Sequence, residues 1–302
     1  MAWTLPPGFE MISGRGAPGV TLIVAARART ALLEAGIDRP DDLSSGPTVA
    51  EWVEGGRVRH PVLMAGDERW LLKAYRRGGL FARWNPDLYW SPMRFIRELD
   101  TSLRAVRSGV PAPEPIALVL RSAGRWGGFR AWQVVRFLPS VRSLREYLGD
   151  AGRPATDGGP AIASVFRAAG EAVRRMHEAE IDHPDLNVGN ILAGPSRDTA
   201  GAVEPGAAAA YIIDWDRARP RAAGSWNPHR NLLRLWRSAL KMARVTRPAA
   251  APDRRAVQAF LRGYFHQNRA GLRSLRGYAR RRVADIALHS LIWDLSRIWR
   301  AS

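Results

Sequence analysis

The feature that most constrains the fold is a change of hydrophobic period part-way along the chain. Residues 48–53, 58–65 and 68–75 form three short runs rich in β-branched, aromatic and aliphatic side chains, separated by Gly55-Gly56 and Gly66-Asp67. Connections this short join antiparallel neighbours, so the segment predicts a three-strand meander. Residues 91–107 predict a helix, with Ser91-Pro92 as cap and first turn and Gly109-Val110-Pro111-Ala112-Pro113 as its stop. Two further strands are expected at 115–120 and 131–137, and Leu138-Pro139-Ser140 reads as a hinge. Beyond it the period becomes helical, over 160–180, 231–244, 253–268 and 280–299. The apolar runs 191–193 and 211–213 interrupt that rhythm, and the alanine- and glycine-rich stretch 194–209 between them predicts a mobile loop. The pattern describes an α+β, bilobal chain with a cleft between its lobes. Residues 1–46 form an N-terminal extension without an assigned role, 47–139 a small antiparallel-sheet N-lobe, and 140–302 a larger, mainly helical C-lobe.

Charge narrows the function. Lysine and arginine number 46 against 28 acidic residues, a net charge of +18, so an anionic partner is expected: nucleic acid, a membrane surface, or a phosphorylated or carboxylated substrate. Only Lys73 and Lys241 among those cations are lysine. In a chain that uses arginine by default, a retained lysine asks for an explanation, and Lys73 lies at the end of a predicted strand. The absence of cysteine excludes disulfides, thiolate zinc sites and cysteine nucleophiles. No run is long and apolar enough to span a bilayer, and the first residues lack the basic leader and apolar core of a secretion signal, so a cytoplasmic protein is expected.

The chemistry concentrates in two segments. His183-Pro184-Asp185-Leu186-Asn187-Val188-Gly189-Asn190 places an aspartate and an asparagine five positions apart, and Tyr211-Ile212-Ile213-Asp214-Trp215-Asp216 places an aspartate directly after an apolar strand. Phosphoryl transfer needs one carboxylate aimed at the acceptor hydroxyl and further oxygen ligands for a magnesium ion on the phosphates. Asp185 supplies the first, Asn190 and Asp214 the second. Each fragment alone has a plainer reading, because Asx residues cap turns and aspartate after a strand is common. Their order, with apolar strands flanking both, favours the catalytic reading. His183 reads as a brace for its loop. Asn187 reads either as a turn former or as a support for a ligand, and Asp216 either as a second metal contact or as a partner of Arg217 or Arg219.

These two segments resemble the catalytic and metal loops of the protein-kinase-like superfamily, as also found in aminoglycoside phosphotransferases and choline kinases. Leu72-Lys73-Ala74-Tyr75-Arg76-Arg77-Gly78-Gly79-Leu80, Ile213-Asp214-Trp215-Asp216-Arg217-Ala218-Arg219 and the helix beginning Asn231-Leu232-Leu233-Arg234-Leu235-Trp236-Arg237-Ser238 are similar to stretches of the 3-deoxy-D-manno-octulosonic acid (Kdo) kinases of lipopolysaccharide synthesis. The likeness covers roughly residues 50–245. It implies a protein-kinase-like fold, ATP and Mg2+ as cofactors, Lys73 on the α- and β-phosphates, and Glu98 on the following helix holding that lysine. Gly55 and Gly56 would let backbone amides approach the phosphates, although a glycine pair in a hairpin also serves as a bare turn. Arg76 and Arg77 are candidates for the anionic groups of the acceptor, since guanidinium groups grip carboxylate and phosphate bidentately.

The implied function is transfer of phosphate from ATP to a sugar hydroxyl, that of Kdo on a lipid A precursor, by a protein peripheral on the cytoplasmic face of the inner membrane. A lipid-linked, polyanionic sugar acceptor in an anionic membrane surface accounts for the charge without nucleic acid. The alternatives are a kinase for lipopolysaccharide heptose, choline or aminoglycosides and, from another class, a basic nucleic-acid-binding protein. Against the last, the arginines are spread over helices, and no basic tail, zinc pattern or RNP-type strand occurs. Trp84, Trp90, Trp126 and Trp132 read mainly as core, with Trp84 a possible lipid contact.

Overall fold

A computed structural model describes residues 4–14, 18–42, 49–55, 58–76, 88–123, 127–149, 160–197, 201–246, 254–266 and 268–282. The chain forms two compact units, Met1–Val106 with Pro113–Pro139, and Arg107–Ala112 with Ser140–Ser302. The first is built on an antiparallel sheet and the second is mainly helical, the α+β division that the change of period predicts.

In the first unit the meander forms as expected, from β3 (Val49–Gly55), β4 (Val58–Ala65) and β5 (Glu68–Ala74). Gly66 turns the second connection at φ +62°, a conformation open to glycine at no steric cost. The sheet is larger than the meander. β6 (Pro115–Ser122) and β7 (Phe129–Arg136) pair with each other, and β7 then pairs with β5, setting Lys73 opposite the buried Gln133. The leading segment, expected to be an extension without an assigned role, contributes β1 (Phe9–Ser13) and β2 (Val20–Ala25), and a short helix α1 (Arg29–Glu34) follows. The resulting sheet has seven strands in the order β1-β2-β6-β7-β5-β4-β3. β2 joins because Leu22 and Val24 bury completely against Ile116, Val119 and Val134, in one core with Leu32 and Ile37.

One helix, α2 (Met93–Arg107), lies on this sheet. Ser91 Oγ accepts from the Met93 amide at 3.3 Å, as its place at the helix start predicts. Phe95, Leu99 and Leu103 recur at helical spacing and pack with Tyr75, Leu118 and Leu120, and the Phe95 ring meets Tyr75 at 4.5 Å and Tyr89 edge-on at 4.8 Å. Of the tryptophans read as core, Trp132 is buried and Trp90 is 68% exposed, while Trp84 and Trp126 lie outside the described residues.

The second unit holds α3 (Leu144–Gly149), α4 (Ile162–Glu178), α5 (His229–Thr246), α6 (Arg254–Phe265) and α7 (Arg269–Arg281). The helix expected over 280–299 falls, past Arg282, outside the described residues. The mobile loop expected over 194–209 is instead largely a hairpin. β10 (Ile191–Arg197) pairs with β11 (Val203–Ile212) from Ile191 opposite Ile212 to Arg197 opposite Val203, and β8 (Arg142–Ser143) pairs on the other side of β10. Alanine is a poor strand former alone, but the 208–210 alanines sit opposite 193–195 in a ladder begun by the buried Ile191 and Ile212. Two-residue strands β9 (Ile181–Asp182) and β12 (Arg219–Pro220) pair beside the loop that follows.

Helices α4 and α6 cross at two glycines. A Cβ added at Gly170 would stand 2.1 Å from the Phe260 carbonyl oxygen, and one at Gly263 would stand 2.1 Å from that of Arg167. Both obstacles are backbone, so neither can swing aside. Helix propensity favours alanine over glycine by about 1 kcal/mol, whereas overpacking costs about 1–3 kcal/mol. Gly170→Ala and Gly263→Ala should therefore lower the denaturant midpoint of the second unit, and a raised midpoint would show that the helices are not in backbone contact.

Candidate functional site

Site residues gather in two places, one in each unit. In the sheet unit, Lys73 is the penultimate residue of β5, and its Nζ lies 4.0 Å from Glu98 Oε1. Glu98 is on the sheet-facing side of α2 at 1% exposure, so the apolar packing of Phe95 and Leu99 carries a carboxylate inside with it. A buried carboxylate needs a cation or hydrogen-bond donors, and Lys73, one-third exposed, brings an ammonium to it while still reaching the surface. Lys73 also lies 5.7 Å from the Tyr75 ring centroid. His60 on β4 is held below the ordinary histidine pKa, by burial first and then by the charges of Lys73 and Arg76. Gly55 ends β3 opposite Val58, and Arg76 is exposed just past β5. Gly56 and Arg77 lie outside the described residues.

In the helical unit, the segment from His183 to Asn190 links β9 to β10, and apolar anchors fix it at Leu186 and Val188, both buried. The Val188 amide donates to Ser238 Oγ on α5 at 3.0 Å, and its carbonyl accepts from the Arg145 amide at 3.0 Å. Asn187 closes a turn on itself, donating from Nδ2 to the Asp185 carbonyl at 2.9 Å and accepting from the Gly189 amide at 2.8 Å. Of its two readings, the turn former is the one these bonds describe. Asn190 Nδ2 donates to the Asp185 carbonyl at 3.0 Å and to Asp214 Oδ2 at 3.4 Å, so one amide joins the three polar residues singled out in the sequence. Asp214 has φ +66°, a left-handed turn between β11 and a 3-10 turn at Trp215–Arg217. The Asp185 carboxylate is hydrogen-bonded to the Arg234 guanidinium from α5.

His183 is fully buried and braces this arrangement, its Nε2 donating to the Ile213 carbonyl at 3.3 Å. Burial holds its pKa below the ordinary value, so the ring is neutral and bonds the strand end that carries Asp214. Behind it lies a network that has no role in the sequence analysis. Asn231, buried in the first turn of α5, accepts at Oδ1 from the His183 amide at 3.1 Å and from His177 Nε2 at 3.2 Å, and donates from Nδ2 to Asp182 Oδ1 at 3.1 Å. Asp182 also accepts from Arg221 at 3.0 Å, and His177 Nδ1 accepts from the Tyr264 hydroxyl at 2.7 Å. The signal available in advance was the place of Asn231 at the head of the stretch similar to the Kdo kinases, an amide followed by Leu232 and Leu233.

The oxygen donors fit magnesium. Among the described residues no three His, Cys, Asp or Glu side chains cluster to cage a metal. Magnesium needs no such cage when phosphates and water complete its six oxygens. The Asn190 amide nitrogen is committed on the protein side, so its Oδ1 and the Asp214 carboxylate are the atoms that would hold the ion.

His177 gives the network a pH signature. Burial pushes its pKa down to about 3, against the raising influence of Asn231 and Asp182. The folded state thus prefers the neutral ring, and its full contribution to stability is present above the unfolded value of about 6.5. As pH falls below that value the unfolded chain binds the proton first, and stability is lost at up to about 1.4 kcal/mol per pH unit until the folded pKa is reached. His177→Gln should make the fall in stability between pH 6.5 and 4 shallower, measured by chemical denaturation. An unchanged slope would mean that the imidazole carries a proton in the native state.

Comparison with known proteins gives the family. The model of the Lipopolysaccharide kinase (Kdo/WaaP) family matches residues 48–264. A 3-deoxy-D-manno-octulosonic acid kinase of Xanthomonas oryzae pv. oryzae (strain PXO99A) is 32% identical over 74% of this chain and 82% of its own. The enzyme of that name from Vibrio parahaemolyticus serotype O3:K6 (strain RIMD 2210633) is 32% identical over 55% of this chain and 63% of its own. A solved structure of WaaP in complex with acyl carrier protein is 20% identical, with 79% of this chain and 85% of that chain covered at a TM-score of 0.47. With a family match that spans the Lys73–Glu98 pair and the loops of Asp185, Asn190 and Asp214, this chain belongs to the lipopolysaccharide kinase (Kdo/WaaP) family and is a sugar kinase of lipopolysaccharide biosynthesis.

Proposed function

We propose that the protein transfers the γ-phosphate of ATP to a hydroxyl of Kdo on a lipid A precursor, with residues 47–139, as an N-lobe, binding the nucleotide and residues 140–302, as a C-lobe, carrying the catalytic and metal loops. The observation that carries the reading is the Asn190 amide, which ties the Asp185 backbone to the Asp214 carboxylate within one loop system. The Kdo acceptor is inferred from the two relatives of that name. Asp185 accepts the proton of the attacking hydroxyl, and Arg234 orients its carboxylate. Asn190 and Asp214 hold magnesium, which when bound neutralises the phosphate oxygens. Lys73 holds the α- and β-phosphates and Glu98 aims it. Gly55 and Gly56 are assigned to the phosphates, and Arg76 and Arg77 to the anionic groups of the acceptor, on the resemblance alone. Among the described residues no helix is long and apolar enough to cross a membrane. The +18 charge and the exposed Trp90 support docking on an anionic inner-membrane surface instead.

Asp185→Asn keeps the loop's backbone bonds and removes the proton acceptor. Turnover on a Kdo-bearing lipid A precursor should fall by about 10²–10⁴-fold with nucleotide affinity retained, and near-normal turnover would remove Asp185 as the base. Lys73→Arg keeps the charge and changes its shape. If a compact ammonium is needed between Glu98 and two phosphates, kcat/KM for ATP should fall more than about tenfold, some 1.4 kcal/mol of transition-state stabilisation. Unchanged kinetics would reduce the role of Lys73 to charge alone.

A further inference from the structure

We infer that an arginine-lined cavity of the helical unit binds the anionic groups of the acceptor, a multiply charged saccharide bearing carboxylate or phosphate. The inference rests on the phosphotransfer reading above and adds where the acceptor is gripped. The cavity encloses about 420 Å³, and its wall includes Arg219, Arg230, Arg234, Arg237 and Arg282 against one carboxylate, Asp182. That volume is within the range of roughly 300–1,000 Å³ usual for small-ligand sites.

The acidic residues near the cavity are already engaged. Asp182 receives Arg221 at 3.0 Å and Asn231 at 3.1 Å, and Arg219 approaches it only to 3.9 Å. Asp185 is paired with Arg234. Among the described residues no carboxylate lies within ion-pair distance of Arg230 or Arg237. Arg230, Arg234 and Arg237 stand at i, i+4 and i+7 of α5 and so project from one helix face. Like charges collected in one concavity repel, and an anion bound by their planar forks offsets that repulsion with bidentate hydrogen bonds. Arg234 fixes the orientation of the bound molecule. It lines the cavity and also bonds the Asp185 carboxylate, so a ligand in the cavity lies beside the proposed base, where the phosphate acceptor belongs.

The test is calorimetric titration of the full chain with a Kdo-bearing lipid A precursor in neutral detergent micelles, with and without its phosphates. The chains compared are wild type, Arg230→Gln/Arg237→Gln, and Arg254→Gln/Arg255→Gln, which removes the same charge from exposed positions on α6 outside the cavity wall. The cavity variant should bind at least tenfold more weakly, and the α6 variant within twofold of wild type. If the double variant loses its fold, Arg230→Gln alone, at an exposed position, carries the comparison. Loss of the wild-type signal with the phosphate-free precursor assigns the cavity to phosphate, and its retention assigns it to the sugar carboxylate. Equal affinity of wild type and cavity variant, equal loss in both double variants, or no binding by wild type overturns the inference. Phosphate transfer by the same wild-type sample separates the two claims. Arginine-dependent binding without transfer contradicts the kinase reading and leaves the cavity assignment standing, whereas transfer with arginine-independent affinity does the reverse.

Discussion

The side-chain amide of Asn190 is the interaction on which the candidate site depends. Its two donors reach the Asp185 backbone and the Asp214 carboxylate, so two loops far apart in sequence are held in one register. The loops could not keep that geometry alone, because Asp214 sits at positive φ, a conformation that costs a non-glycine residue of order 1–3 kcal/mol. The neutral His183 ring offsets part of that cost by pinning the Ile213 carbonyl, and the Ile213 amide donates to the Asn190 carbonyl at 3.0 Å. Asn231 performs the same service one layer deeper, fastening the start of the loop to α5 and to the His177–Tyr264 pair. Two amides, the half-buried Asn190 and the buried Asn231, thus convert apolar packing into the placement of a carboxylate.

What the sequence made legible was local. The meander followed from Gly66-Asp67 and its flanking runs, the long helix of the sheet unit from its cap and stop, and the Asp185, Asn190 and Asp214 constellation from spacing and order. Lys73 drew attention by being lysine in an arginine-rich chain, and the structure places it beside Glu98 despite the long separation between them. What stayed hidden depends on distant partners. β2 pairs with β6 from roughly a hundred residues away, and nothing in residues 1–46 announces that partner. The alanine run of β11 has no strand preference of its own and is ordered by its ladder with β10. Helix α7 carries Leu272, Leu275 and Tyr278 at helical spacing but buries none of its residues, and the helices expected from the sequence end at 268 and resume at 280 around it; it starts where Asn268 Oδ1 accepts from the Gly271 amide at 2.8 Å. The glycines that let α4 and α6 touch read only as weak helix formers until the opposing carbonyls are seen.

The excess of arginine resolves into different uses. Some arginines are structural, as where Arg27 and Arg136 bridge Glu68 and Glu114 on the sheet unit, in exposed pairs worth about 0–1 kcal/mol each. Others concentrate on the helical unit around the cavity beside Asp185, where the acidic groups are already engaged. The arginines of α5 looked dispersed in the sequence because helical spacing separates residues that share a face. A charge placed in this way favours a polyanionic sugar over nucleic acid, whose backbone is met by extended basic surfaces.

The proposed reaction moves a phosphate from ATP to a Kdo hydroxyl. The most direct measurement incubates the protein with γ-18O-labelled ATP and Mg2+ and, in parallel, a Kdo-bearing lipid A precursor, a heptosylated core, choline and an aminoglycoside, with products read by mass spectrometry. One labelled phosphate is expected on the Kdo residue of the precursor and none on choline or the aminoglycoside. Label on heptose alone, or on none of the four, would contradict it.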